Sequence, residues 1–301
     1  MKKQSYESNA DVQRWLRRQA AEHDGADAPF EPTFLGGRHD RDWILSSLTV
    51  FYQQRLIVDV IGQASSGKEA TVYCCLAHPD AGGGLLAAKV YRPRMFRNLR
   101  NDAIYRESRA QLDERGRAGN DRRQRRAAGA RSERARELQV ASWIAYEYQV
   151  QRALYAAGAT VPRPWSQAGN AILMDWVGDE AGPAPRLSDV SLAEHEARPL
   201  FDALIGDVGL WLAHHRIHGD LSPYNILYHG GAATVIDFAQ AVDPRHNPQV
   251  YPLLERDVER LWRFFARYGV AADPQAIAAD LWTRYMLGEL TEPVGRSHVE
   301  G

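Results

Sequence analysis

Lysine is scarce in this 301-residue chain: only Lys2, Lys3, Lys68 and Lys89 occur, against 33 arginines. Basic and acidic residues nearly balance, and the formal net charge of −1 excludes a dedicated nucleic-acid binder, which needs a cationic excess to displace counterions. Cysteine is almost missing as well. Cys74 and Cys75 are adjacent in Val72-Tyr73-Cys74-Cys75-Leu76, and neighbouring strand residues face opposite ways, so a mutual bridge is excluded and buried thiols of a reducing compartment are expected. No apolar run approaches the ~18 residues of a membrane span. The opening MKKQSYESNADVQRW has no apolar signal-peptide core, so a cytoplasmic protein without membrane contact is expected. Internal repeats are absent, which excludes a solenoid. What remains, 45% apolar and 25% charged, is an ordinary globular composition with room for two lobes.

The arginine bias is most simply that of a GC-rich coding genome, and it leaves the survival of Lys68 and Lys89 unexplained. Ammonium is a compact point charge and guanidinium a wide planar fork, so the two suit different sites. A second asymmetry is local. Residues 97–136 hold 13 arginines and six acids, with glycines at 116, 119 and 129 and little apolar periodicity. This stretch reads as a solvated, helical, basic insertion, with a ribosomal or RNA contact as its functional alternative.

Along the chain, an extension (1–40) precedes a helix begun near Asp42, with Asp40 or Asp42 as its cap. Three short, partly β-branched runs follow, 56–61, 70–76 and 85–91, separated by glycine-bearing turns and expected to form one antiparallel sheet. A helix over 138–156 and a strand over 171–177 complete a small lobe, 41–178. The remainder, 179–301, reads as helical over 192–215, 253–268 and 274–287, with one short hairpin turned at Gly230-Gly231.

Gly62 to Lys68 fits the first seven positions of a Walker A loop, but Glu69 stands where magnesium requires a hydroxyl. A strand also follows, where a Walker loop leads into a helix. The alternative is a hairpin whose tip, Ser65-Ser66-Gly67-Lys68, covers nucleotide phosphates with backbone amides and one ammonium.

His218-Gly219-Asp220-Leu221-Ser222-Pro223-Tyr224-Asn225, followed by Ile236-Asp237-Phe238, carries the strongest signal. Phosphoryl transfer needs a carboxylate at the attacking hydroxyl and oxygen ligands for magnesium on the phosphates. Asp220 suits the first task, and Asn225 and Asp237 the second, at the spacings of a kinase catalytic loop and metal hairpin. Lys89, in Ala87-Ala88-Lys89-Val90, suits the α- and β-phosphates. Glu147 lies among apolar neighbours on the 138–156 helix, where a lone carboxylate would be costly to bury, and is its expected partner.

These residues resemble the RIO-type atypical serine/threonine kinases, in their Rio-one-like branch, and a bacterial member is expected. The family's S-T-G-K-E-A is matched by Ser65-Ser66-Gly67-Lys68-Glu69-Ala70, and H-x-D-L-S-x-Y-N-x-L-Y by 218–228. I-D-x-x-Q-x-V is matched by 236–242, W-x3-E-[FY] by 143–148, and V-P-x-P by 161–164. The resemblance implies an α+β fold, a shortened bilobal kinase with an antiparallel-sheet small lobe and a helical large lobe. It implies ATP with Mg2+ or Mn2+, Asp220 as base, Asn225 and Asp237 as metal ligands, and Asp237 as a transient phosphoryl acceptor. A hinge would contact adenine through the backbone of Asp175 and Val177.

Gly219 replaces the arginine of H-R-D, and no A-P-E follows Asp237. The activation loop and peptide platform of ordinary kinases are therefore expected to be missing, which leaves the protein acceptor open and makes autophosphorylation or slow ATP hydrolysis the expected activity. Two other functions fit part of the pattern. One is a small-molecule phosphotransferase of aminoglycoside or choline type, although the helical lobe is short for that. The other is an ATP-gated scaffold in ribosome maturation.

Overall fold

The computed structural model describes residues 30–36, 38–67, 69–92, 133–245 and 250–290. Lys68, most of the basic insertion and residues 1–29 of the extension lie outside the described residues. The chain divides into two compact units.

The first unit is built on a five-stranded antiparallel sheet of order β1-β2-β3-β5-β4. Its strands are β1 (Ile57–Ser66), β2 (Ala70–Ala77), β3 (Leu85–Tyr91), β4 (Pro164–Ala168) and β5 (Ala171–Asp175). Helix α1 (Arg38–Gln53) buries Ile44, Leu48 and Phe51 against Val60, Tyr73, Cys75, Ala88, Val90 and Leu173. Side chains alternate between faces, so the register Ser65–Val72–Lys89–Ile172 forms one row on the sheet's opposite face. Tyr91, on the same face as Lys89, meets the Trp143 ring edge-on at 5.1 Å. The end of the extension lies along β1: Thr33 donates to Asp59 from its backbone and its hydroxyl, and the Phe34 N–H donates to Val60.

Helix α2 (Glu133–Ala156) belongs to this unit up to Ile144 and to the second from Ala145. The second unit continues, after Val177, through the two-residue strands β6 (Gly178–Asp179) and β7 (Gly182–Pro183). Gly178 has φ +144°, and a Cβ there would stand 2.4 Å from the Gly182 carbonyl oxygen, so that tight ribbon requires glycine. Helix α3 (Glu194–Ala213), the hairpin β8 (Ile226–His229) with β9 (Ala232–Val235), α4 (Tyr251–Ala266) and α5 (Pro274–Leu287) follow. Their core gathers Leu154, Phe201, Leu204, Trp211, Phe238, Val258, Leu261 and Phe265.

Several boundaries differ from the sequence reading. Helix α1 starts at Arg38, so Asp40 and Asp42 lie inside it and neither is its cap. β1 runs to Ser66, which makes Ser65 and Ser66 strand residues and leaves a tip of only three residues. Strand β5 ends at Asp175, and β4 goes unforeseen because it opens on proline, a residue confined to strand starts and edges. Cys74 and Cys75 are free and buried, as expected, and burial pushes both thiols up. No described helix is long and apolar enough to cross a membrane.

Candidate active site

The second unit brings Asp220, Asn225 and Asp237 onto one hydrogen-bonded framework. Gly219, before Asp220, has φ +78°. A left-handed backbone is cheap only for glycine, which accounts for the missing arginine of the usual triplet. The backbone then turns through a 3-10 segment, Pro223–Asn225, and Asn225 donates from Nδ2 to the Asp220 carbonyl at 2.9 Å. Asn225 and Asp237 flank the β8–β9 hairpin and do not lie within it. The hairpin still joins them, because the Ile236 N–H donates to the Asn225 carbonyl at 2.9 Å.

His218 links the same two segments. Its Nδ1 lies 3.3 Å from the Asp220 N–H and its Nε2 3.2 Å from the Ile236 carbonyl, which assigns the Nε2-protonated tautomer. The ring is buried beside Phe238, at 4.8 Å between centroids, and Trp211, at 5.9 Å. Asp237 adopts φ 69°, ψ 68°, a left-handed conformation that costs a non-glycine residue roughly 1–2 kcal/mol. Such strain persists where the surroundings impose it, and functional sites collect it. Beyond Asp237 the chain turns back within five residues, and Val242 exchanges backbone bonds with Ile217. No room is left there for a long activation segment.

Sequence reasoning missed the support beneath the loop. Asp257, on α4 and 1% exposed, accepts the N–H of Gly219 at 2.7 Å and that of Leu221 at 3.0 Å. Burial pushes its carboxyl up to about 7, reinforced by the charge of Asp220 and opposed by the two N–H bonds and by Arg256. Arg256 donates to the Gly219 carbonyl. Arg260, one turn further, donates from Nη1 to Asp220 Oδ1 at 2.8 Å. The signal was present: Asp257 interrupts the apolar series Leu254, Val258, Leu261, Phe265 of α4 at a core position. Next to the site, burial would raise the Asp243 carboxyl, but the bonds from Arg245 and the nearby Arg216 outweigh it and hold it below the ordinary range.

The remaining candidates are distributed as follows. In the first unit, Lys89 stands in the row with Ser65, with Nζ 5.1 Å from the Tyr91 ring centre. The Ser66 hydroxyl is engaged by Arg92, which also binds Thr71, and the Gly67 N–H closes the hairpin on the Ala70 carbonyl. Ser66 and Gly67 therefore shape the turn. Asp175 accepts from the Trp165 indole at 2.7 Å. In the second unit, the Val177 carbonyl accepts from Ala184, and Glu147 is 1% exposed on α2. Among the described residues no cluster of three or more His, Cys, Asp and Glu could hold a metal unaided. A cation at this site would draw on Asn225, Asp237 and oxygens of a nucleotide.

The RIO domain family matches residues 97–277. A Thermoplasma acidophilum RIO-type serine/threonine-protein kinase Rio1 is 36% identical over 138 residues, 46% of this chain and 71% of that one. The corresponding Haloferax volcanii protein is 31% identical over 222 residues, 72% of this chain and 66% of its own length. The Caenorhabditis elegans serine/threonine-protein kinase RIO1 is 28% identical over 225 residues; the chain spans only 39% of that longer relative. Both the loop that carries Asp220 and the segment that carries Asp237 fall inside the matched domain, which covers more than half of the sequence, and the chain belongs to the RIO family of atypical serine/threonine kinases.

Proposed function

We propose that this chain transfers the γ-phosphoryl group of ATP to a serine or threonine hydroxyl, on itself or on a protein acceptor, with slow ATP hydrolysis when no acceptor is present. The observation that carries this reading is the framework through His218 that fixes Asp220, Asn225 and the segment of Asp237 together. Asp220 is half-exposed on a clamped loop, as a base that must meet an incoming substrate should be.

In the transfer, the acceptor hydroxyl gives its proton to Asp220 and its oxygen bonds to the γ-phosphorus. The bond from that phosphorus to the β–γ bridging oxygen breaks, and its electron pair leaves with ADP. Asn225 Oδ1 and the Asp237 carboxylate are hard oxygen donors suited to magnesium, and manganese fits the same set. The ion supplies neutralisation of phosphate charge when bound. Lys89 takes the α- and β-phosphates, with Glu147 as its acidic partner. Residues 65–68 cover the phosphates, and Asp175 and Val177 flank the adenine. Without an acceptor, an Asp237 carboxylate oxygen attacks the γ-phosphorus as ADP leaves, and water, giving its proton to Asp220, then cleaves the acyl phosphate to release inorganic phosphate. The basic stretch 97–136, with 13 arginines against six acids, is the segment suited to an RNA or ribosomal contact. A small-molecule acceptor is disfavoured by the family match.

Incubation with γ-labelled ATP and magnesium tests the reading, first alone, then with lysate, then with small alcohols. Acid-stable label on protein is the expected result, with an acid-labile fraction lost in an Asp237→Asn variant. Label on the alcohols alone would overturn it.

A further inference from the structure

We propose that Arg260 is a positioning residue: its guanidinium holds one carboxylate oxygen of Asp220 so that the other faces the acceptor hydroxyl. The inference rests on Asp220 being the base. The Asp220 side chain is 52% exposed, and the terminal torsion of an aspartate is broad and nearly two-fold. Left alone, such a carboxylate would exchange its two oxygens and swing through a wide arc. Among the described residues Arg260 Nη1, 2.8 Å from Oδ1, is its one side-chain partner, and none of them bonds Oδ2.

Helix α4 supports the loop from one stripe of side chains. Arg256 binds the Gly219 carbonyl, and Asp257 binds the N–H groups on either side of Asp220, so the backbone is already held before Arg260 is counted. Residues four apart on a helix share a face, which brings Arg260 to the same loop one turn on. Its bond differs from the others in reaching the reacting side chain itself. The pair is exposed on both sides, 39% and 52%, and pairs of that kind add little to folding stability. Its effect is therefore orientation of the base. A proton acceptor fixed in a near-attack geometry gains from avoided reorganisation.

Arg260→Ala, Arg260→Lys and Asp220→Ala should be compared in steady-state transfer with ATP titrated, alongside nucleotide binding and thermal melting. For Arg260→Ala, kcat should fall about fivefold, the factor that corresponds to an exposed charge pair, with KM for ATP and the melting midpoint unchanged. Arg260→Lys should retain the larger part of kcat. Guanidinium ion, well below denaturing concentration, should restore the alanine variant and leave Asp220→Ala untouched. Unchanged kcat in Arg260→Ala beside an inactive Asp220→Ala would overturn the positioning role and leave the base assigned. A fall in kcat that tracks the melting midpoint and resists guanidinium would make Arg260 merely structural. Full activity in Asp220→Ala would remove both readings.

Discussion

Replacing Asp257 by asparagine removes the ionisable group under the Asp220 loop and keeps its shape. The aspartate carboxyl is pushed up to about 7 by burial, whereas in the unfolded chain it titrates near 3.9. Between these values the folded protein holds a proton that the unfolded chain has released, so stability falls as pH rises through the window. About three pH units at ~1.4 kcal/mol each give a loss on the order of 4 kcal/mol, of which roughly 3 kcal/mol lies between pH 5 and 8. His215 works the other way. Its folded pKa is lowered by burial and by Arg245, so its contribution rises with pH through the histidine range. That term is common to both proteins and cancels in their difference. Denaturant unfolding of wild type and Asp257→Asn at pH 5 and 8 isolates the carboxyl, with wild type losing ~3 kcal/mol relative to the variant as pH rises. The variant should also lose turnover, since an amide accepts from only one of the two N–H groups and turns a donor on the other. Parallel stability curves, or undiminished turnover at pH 8, would refute the clamp.

Two further outcomes are expected. Lys89→Ala should weaken binding of ATP, measured by calorimetry, while leaving the fold intact by circular dichroism, because Lys89 lies half-buried on the face of the sheet opposite the α1 core; unchanged affinity would transfer its role to another cation. Asp243→Asn should cost about 2 kcal/mol at pH 7 through lost charge-assisted bonds to Arg216 and Arg245. The lowered Asp243 carboxyl stabilises the fold above the ordinary aspartate range and loses that contribution as pH falls below it, so the gap in denaturant unfolding should narrow progressively with acidification.

Elements with a clear period were legible in the sequence. Helix α5, opened by Pro274 in its first turn, runs over the expected 274–287, and strands β2 and β3 fall where β-branched and glycine signals put them. Asp220, Asn225 and Asp237 stand out in the sequence because their spacing carries chemistry, and the fold joins their segments by hydrogen bonds. Other features depend on tertiary contacts that no local pattern encodes. Asp257 meets the loop from 36 residues or more downstream, and its place in the apolar stripe of α4 gives the position away only once the loop is known to lie against that helix. Arg260 looked like one more surface arginine in an arginine-rich chain. Ser66 sits at a hairpin tip of a composition that suits any turn, and its bond to Arg92 is visible only in the folded sheet. The scarcity of lysine pointed to Lys89, which stands on β3, while Lys68 lies outside the described residues.

Whether Asp220 takes the acceptor's proton is read from single-turnover transfer from γ-labelled ATP by wild type and Asp220→Ala, with ATP affinity measured on the same samples. Loss of a positioned general base costs about a hundredfold or more in rate, so at least that loss is expected, with ATP affinity essentially unchanged. Wild-type transfer by the variant would contradict it.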